Sequence, residues 1–276
     1  TVSSGELVLV ENGYQFHGEL TGPITVTYQV SDGTLFVLQT ATFNLLDKPP
    51  IVGTSDDDNL LGTMCCDSIF GLSGNDQIDG RGGDDEIVGG AGNDHIVGGD
   101  GDDIIFGDEG DDIIFGGAGN DHISGGYGHD RLFGGSGDDI IAGDAGDDLL
   151  VGGEGDDTLV GGDGNDYIED GRGNDHVEGE SGNDTFIAAS DTSNDFFSGG
   201  EGIDRLEYSE SVVSLTFVSS EGTVTGAEGG QDQFASIEVL VGGQADDQFF
   251  VDESPILLNG GAGNDIFEIV SPPVTT

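Results

Sequence analysis

The sequence predicts an all-β chain, with a coil of short parallel strands at its centre. An antiparallel β segment precedes the coil, and a β extension with degenerate repeats follows it. Three observations carry this reading. A nine-residue pattern recurs fifteen times, without insertion or deletion, from Gly53 to Ile187. Glycine supplies 53 of the 276 residues, far above the ordinary ~7%. Acidic residues outnumber basic ones by 56 to 5, for a formal charge of −51. The expected divisions are 1–50 (β segment and linker), 51–207 (repeat coil) and 208–276 (β extension).

Residues 1–50 hold the alternating runs ELVLVE, ITVTYQV and LFVLQTATFNLL, separated by NG, TGP and SDG. Period-two runs bounded by such turn residues read as antiparallel strands. Lys48-Pro49-Pro50 then forms a stiff linker.

The repeat units that follow include GGAGNDHIV (89–97), GGDGDDIIF (98–106) and GGSGDDIIA (134–142). Position six is Asp in all fifteen units, and position eight is apolar in all fifteen, from Leu60 to Phe186. Position one is Gly in fourteen, the exception being Asp170; position four is Gly in thirteen, the exceptions being Asp56 and Cys65. Ala188-Ala189 then slip the phase, a degenerate unit with Asp195 follows, and GGEGIDRLE closes the block. SVVSLTFV and FASIEVLV read as strands of the extension, before repeat-like units return at 242–250 and 260–268.

One unit has a definite physical meaning. Glycines at positions one, two and four allow positive φ and let carbonyls turn towards a common point. The last three residues form a short strand with position eight inward. Turning after each strand gives eighteen residues per coil and two parallel sheets around the position-eight ladder. One buried Ile or Leu per nine residues is worth ~1.5–3 kcal/mol, too little to order nine backbones at about 1–2 kcal/mol each. The loops must supply the rest. Units two apart bring position-six carboxylates face to face beside backbone carbonyls, a hard, all-oxygen donor set that suits Ca²⁺. Mg²⁺ holds its waters and wants a tighter octahedron, and Zn²⁺ or copper would want N or S ligands. Fifteen units offer at most thirteen such pairs, so about 9–13 Ca²⁺ ions are expected in the main array. The units at 53–70 lack the loop glycines and should bind weakly.

The pattern G-G-x-G-[ND]-D-x-[ILVF]-x resembles the calcium-binding nonapeptide of RTX (repeats-in-toxin) proteins. The resemblance implies a right-handed parallel β-roll, export by a type I secretion system, and folding on meeting extracellular calcium. It assigns the metal-ligand role to the position-six residues Asp67, Asp76, Asp85, Asp94, Asp103, Asp112, Asp121, Asp130, Asp139, Asp148, Asp157, Asp166, Asp175 and Asp184, and in the later units to Asp204, Asp247 and Asp265. It adds loop carbonyls around Gly74, Gly83, Gly92, Gly101, Gly110, Gly119, Gly128, Gly137, Gly146, Gly155, Gly164, Gly173 and Gly182. Residues 1–47 resemble the latter part of a bacterial cadherin- or immunoglobulin-like repeat, through GELTGPITVTYQVSDG. Residues 204–268 resemble the variable stretch between RTX blocks. The family's carboxy-terminal secretion signal is not evident in EIVSPPVTT, so a longer parent is expected.

The charge opposes nucleic-acid binding through phosphates and attraction to an anionic membrane, and no run of about 18 apolar residues is present to span a bilayer. TVSSGELVLV has neither a basic n-region nor an h-region and reads as a segment of a longer polypeptide. A chain this charged stays disordered unless its carboxylates are neutralised. Cys65-Cys66 are adjacent and read as incidental thiols. His95, His122 and His176 fall at the outward position seven, and Phe106, Phe115 and Phe133 at position nine, with Ile104, Ile113, Ile140 and Leu149 at position seven, put apolar columns outside the roll. Position three carries no Thr in the fifteen units, which disfavours ice binding. No HExxH, GxSxG, phosphate-loop or dinucleotide motif is present, so no enzyme is expected. The leading expectation is a calcium-folded, monomeric module of a secreted or cell-surface protein of adhesin or extender type, joined to flanking domains. The alternatives are the ancillary domain of a secreted protease, lipase or polysaccharide epimerase, and a module that binds a glycan or cell surface.

Overall fold

The computed structural model describes the strands within residues 6–43 and the segments 48–189, 191–226, 230–252 and 256–269. The chain divides into two units, Thr1–Pro49 and Pro50–Thr276. In the first, Glu6–Val10 pairs antiparallel with Gly13–His17, and Ile24–Ser31 pairs antiparallel with Phe36–Phe43. Three of these strands fall on the alternating runs of the sequence, and Gly13–His17 lies outside them.

The second unit is a parallel β-solenoid of about twelve turns, consistent with a right-handed β-roll. Alternate units enter alternate sheets, one of 11 strands and one of 14. No helix occurs among the described residues. Register is set by the eighteen-residue coil: Ile96 pairs with Ile114, and Ile114 with Leu132. Position eight therefore stacks on itself within each sheet, and the two sheets close on one ladder. From Ile69 to Phe186 every member of that ladder is 0–2% exposed.

The strands are longer than the three residues expected. Ile113–Ala118 is typical and runs from position seven through position three of the next unit, with pairing resumed at Gly99–Gly117 and Asp100–Ala118. Along Arg131–Ser136 positions eight and one are buried, whereas seven and the residues after position one lie outside. The side chain at position one thus points into the roll.

The glycines do two different jobs. Positions two and four carry positive φ, as at Gly117 (124°) and Gly119 (129°). Position one does not. There a Cβ would overlap the carboxylate of its own unit's position-six Asp, as at Gly116 against Asp121. The requirement at position one is space, not backbone freedom.

After Ile187 the register lengthens to twenty residues, pairing Val177 with Phe197 and Phe186 with Leu206, as Ala188-Ala189 require. The extension does not leave the roll. Leu215–Val218, Thr223–Gly226 and Gln231–Ala235 form an antiparallel meander within the larger sheet, parallel on one side to Phe196–Glu201 and on the other to Gln248–Val251. The run FASIEVLV is broken at Ser236 (φ 52°), so Gln231–Ala235 and Val239–Val241 enter different sheets. The strand Thr223–Gly226 was hidden in the sequence because its TVTG has no apolar alternation.

Position two is left-handed at five residues other than glycine: Leu72 (82°), Arg81 (75°), Asp108 (76°), Asp144 (71°) and Glu180 (72°). A side chain held there costs on the order of 1–3 kcal/mol. Half of Leu72 is exposed, so it contributes little packing in return. Leu72→Gly should stabilise the calcium-loaded protein by roughly 1 kcal/mol, read as a higher urea midpoint. An unchanged or lower midpoint would show that the column at position two is not strained.

Candidate metal centre

The site repeats along both loop edges of the roll. Each position-six Asp lies in the loop before the strand, and its backbone N–H donates to Oδ1 of the Asp eighteen residues later. Thirteen such links run from Asp58→Asp76 to Asp166→Asp184, all at 2.7–2.9 Å. Across the phase slip the series continues with Asp175→Asp195 and Asp184→Asp204 at 2.9 Å. Each carboxylate is thereby oriented by one oxygen and tucked under the position-one glycine.

The other oxygen is orphaned. Oδ2 of Asp76, Asp94, Asp103, Asp112, Asp121, Asp130, Asp139, Asp148, Asp157, Asp166, Asp175, Asp184 and Asp204 is buried with no hydrogen-bond partner. These residues are at most 3% exposed. An unsatisfied buried carboxylate oxygen is costly, and a column of them more so. Asp85 and Asp67 occupy equivalent buried places, linked by the Asp67 N–H donating to Asp85 Oδ1 (2.7 Å).

Burial dominates their electrostatics. It pushes the carboxyls of Asp94, Asp121, Asp130, Asp157 and Asp184 up to about 6. It pushes those of Asp103, Asp112, Asp139, Asp148, Asp166 and Asp175 up to about 7. The N–H from the preceding coil opposes this rise, and neighbouring carboxylates add to it, as Asp94 and Asp130 do for Asp112. Without a cation the folded loops therefore favour the neutral acid below about pH 6.

Position-four glycines complete the loop. From Gly74 through Gly182 all thirteen have positive φ. From Gly92 onward a Cβ on any of these would overlap the carbonyl oxygen of the position-four glycine one coil earlier. The loop backbones are stacked too closely for any other residue.

Position five forms a second ladder whose role was not read from the sequence. Its N–H donates backwards, to the position-five side chain one coil earlier: Asn93 to Asn75 (2.8 Å), Asn120 to Asp102 (2.8 Å) and Asp156 to Asp138 (2.9 Å). At His129 the acceptor is Nδ1, which takes the Asp147 N–H at 2.8 Å. The Asn/Asp restriction in the repeat was the available signal, since both residues present the same short acceptor.

The first two units differ. Asp58 Oδ2 accepts from Thr54 N–H (2.6 Å) and hydroxyl (2.9 Å), and Asp67 Oδ2 from Thr63 N–H (2.7 Å) and hydroxyl (3.0 Å). Threonine at position two thus takes the oxygen that the glycine loops leave open. Asp247 is likewise satisfied, by Leu215 N–H (2.8 Å) and Gly243 N–H (2.7 Å). Asp265 is only half-buried and accepts from Asp247 N–H (3.0 Å). Asp204 is fully buried, but its own N–H donates to Glu238 (3.0 Å), so a glutamate succeeds it in the ladder.

His95, His122 and His176 are exposed, Cys65 is half-buried and Cys66 exposed. Phe115 stacks on Phe133 with centroids 4.7 Å apart, part of the outer apolar column. No helix among the described residues is long and apolar enough to cross a membrane.

Paired, pre-oriented carboxylates with an orphaned oxygen each, set against close-stacked backbone, make a hard oxygen site for a large divalent cation. The fold and its loops define a calcium-binding β-roll. The family model of the RTX calcium-binding nonapeptide repeat (4 copies) matches residues 67–96, 88–123, 115–150, 124–159, 151–186, 189–206 and 257–268, just over half of the chain. The chain belongs to that family, and its repeats bind Ca²⁺. No curated protein matches the chain.

A pH dependence follows from the raised carboxyls. Where the folded value lies above the ordinary 3.8, folding favours the protonated form. That contribution is complete below about pH 4 and is lost as pH rises through about 6–7. In excess chelator, β structure should therefore appear on acidification to about pH 5 and vanish by about pH 8, as read by circular dichroism. A chelated chain equally structured at both would contradict this.

Proposed function

We propose that the chain is a non-catalytic module of a secreted or surface protein of adhesin or extender type, and that extracellular calcium triggers its folding. The observation that carries this reading is the ladder of buried carboxylates, in which Oδ2 of Asp76 and of every position-six Asp from Asp94 to Asp184 has no hydrogen-bond partner. RTX-repeat proteins are typically secreted, which supports a place outside the cell.

The position-six carboxylates from Asp76 to Asp184 would hold the ions, together with carbonyls of the glycine loops. Calcium supplies positive charge where the fold has none, so the carboxylates stay ionised while buried. The protein's own groups do the rest. Each Asp N–H fixes the next carboxylate, the position-five ladder clamps the outer loop, and the position-eight stack excludes water. Before export, free calcium far below the ~10⁻⁴–10⁻³ M affinities of extracellular modules would leave the chain unfolded. Unfolded chain suits a secretion channel, and the folded roll would then serve as a stiff spacer. The antiparallel hairpins of the N-terminal unit support a parent with sheet-built repeats beside the roll.

The test is limited proteolysis at two calcium levels, with Asp121→Asn beside the natural chain. Protection is expected at about 5 mM Ca²⁺ and rapid cleavage of the repeat region at about 1 μM. Asp121→Asn should raise the calcium midpoint several-fold without weakening the chelated state, because it removes a buried charge but no volume. Protection at both levels would overturn the proposal.

A further inference from the structure

The regular repeat forbids a side chain at position one, yet one unit carries an aspartate there. Elsewhere a Cβ at position one would overlap the position-six carboxylate and crowd the carbonyl of the next coil, as at Gly116 against Asp121 and Gly134. Asp170 escapes because the coil above it is altered. The strand Thr185–Ile187 stops after three residues, and the inserted Ala188-Ala189 follow it at that level. The space is filled by the Asp170 carboxylate, which is 1% exposed. Its Oδ1 accepts from Gly171 N–H (2.6 Å) and from Ala189 N–H (2.8 Å). The insertion that breaks the repeat thus furnishes a donor to the residue that breaks the consensus.

This carboxylate points at two others. Ligand oxygens of Asp170, Asp175 and Asp195 all lie within 4.8 Å of one another, and all three residues are buried. Asp175 N–H donates to Asp195 Oδ1 (2.9 Å), and Ser193 Oγ donates to Asp195 Oδ2 (2.9 Å). Two oxygens remain without partners: Asp170 Oδ2 and Asp175 Oδ2. The arginines nearest in sequence do not answer them, since Arg172 pairs with Glu154 and Arg205 with Glu207. Asp170 Oδ2 is a completely buried oxygen aimed into a cluster that lacks only a cation.

We propose that Asp170, Asp175 and Asp195 form a three-carboxylate divalent-cation site, distinct in ligand set from the regular loops and taking Ca²⁺ more tightly than they do. The regular loops bring together two position-six carboxylates; here a third arrives from the roll interior. Affinity for Ca²⁺ rises with the number of charged ligands and the rigidity of the site. Its two backbone donors and its burial fix the Asp170 carboxylate in place. The site sits where the uniform coil gives way to the meander, so an ion held there would tie the two parts of the roll together before the rest of the array fills. This inference rests on the array being calcium-loaded, and it is read against the array's own ions.

The experiment compares the natural chain with Asp170→Asn and Asp170→Gly in competition titrations of Ca²⁺ against a chromophoric chelator. Asp170→Gly restores the residue found in the other fourteen units; Asp170→Asn keeps the shape and an oxygen for the two N–H donors. The natural chain should retain one ion per molecule at free calcium at least tenfold below the midpoint of the remaining sites. In both variants that ion should bind only in the concentration range of the remaining sites, with those sites and the β spectrum kept in saturating calcium. Identical isotherms for all three chains would overturn the proposal, with Asp170 then holding a proton, whereas absence of any calcium binding would sink the reading of the whole array. Anomalous diffraction from calcium-loaded crystals of the natural chain decides the matter even where a variant fails to fold. A peak at a coordination distance of about 2.3–2.6 Å from Asp170 Oδ2 supports the site. A peak that touches Asp175 and Asp195 alone, or no peak, refutes it.

Discussion

Burying a column of like charges is the constraint on which the structure depends. Eighteen-residue coils force every position-six Asp from Asp67 to Asp184 beneath its neighbours, at 1–5% exposure, and from Asp94 to Asp184 each accepts a backbone N–H at one oxygen while the other has no hydrogen-bond partner. Such a column has a low-energy state only when protons or metal ions supply the missing charge. Sequence periodicity, coil register and calcium chemistry are therefore one fact seen at three scales. The apolar ladder sets the sheets in register, and register makes the carboxylates stack. The stack then demands the ion.

The loops show how that constraint selects residues. At Gly116 the requirement is room for the Asp121 carboxylate; at Gly119 it is a left-handed backbone packed against the previous coil's carbonyl. Both appear as glycine in the sequence, so the two uses could not be told apart until the coil was seen. The threonines at 54 and 63 illustrate the converse. A hydroxyl and an N–H from position two take Oδ2 of Asp58 and Asp67, the oxygen that the glycine loops leave open to calcium.

What was legible in the sequence was whatever repeats. Fifteen phased units specified the strand spacing, the buried face and the stacked Asp pairs, because each is a nearest-neighbour property of one coil on the next. What does not repeat was opaque. The meander 215–235 depends on pairing with Phe196–Glu201 and Gln248–Val251, contacts that no local pattern announces. Asp195 lay outside the regular phase, and Asp170 looked like a lapse in the glycine column; only the twenty-residue register and the Ala189 N–H bring them together. The position-five ladder was visible as an Asn/Asp restriction, but its backward direction needed coordinates. Structure adds most where the repeat fails.

The central claim is that calcium, and not hydrophobic burial, makes the roll stable near neutral pH. The most direct measurement is a far-UV circular dichroism titration of the chelator-stripped chain at about pH 7.5, run with Ca²⁺ and with Mg²⁺ alongside calorimetric counting of bound ions. The account predicts a cooperative transition from coil to β structure near millimolar Ca²⁺, with about ten ions taken up and no comparable response to Mg²⁺. A chain already β-structured in chelator at that pH, or one that folds with only one or two ions, would contradict it.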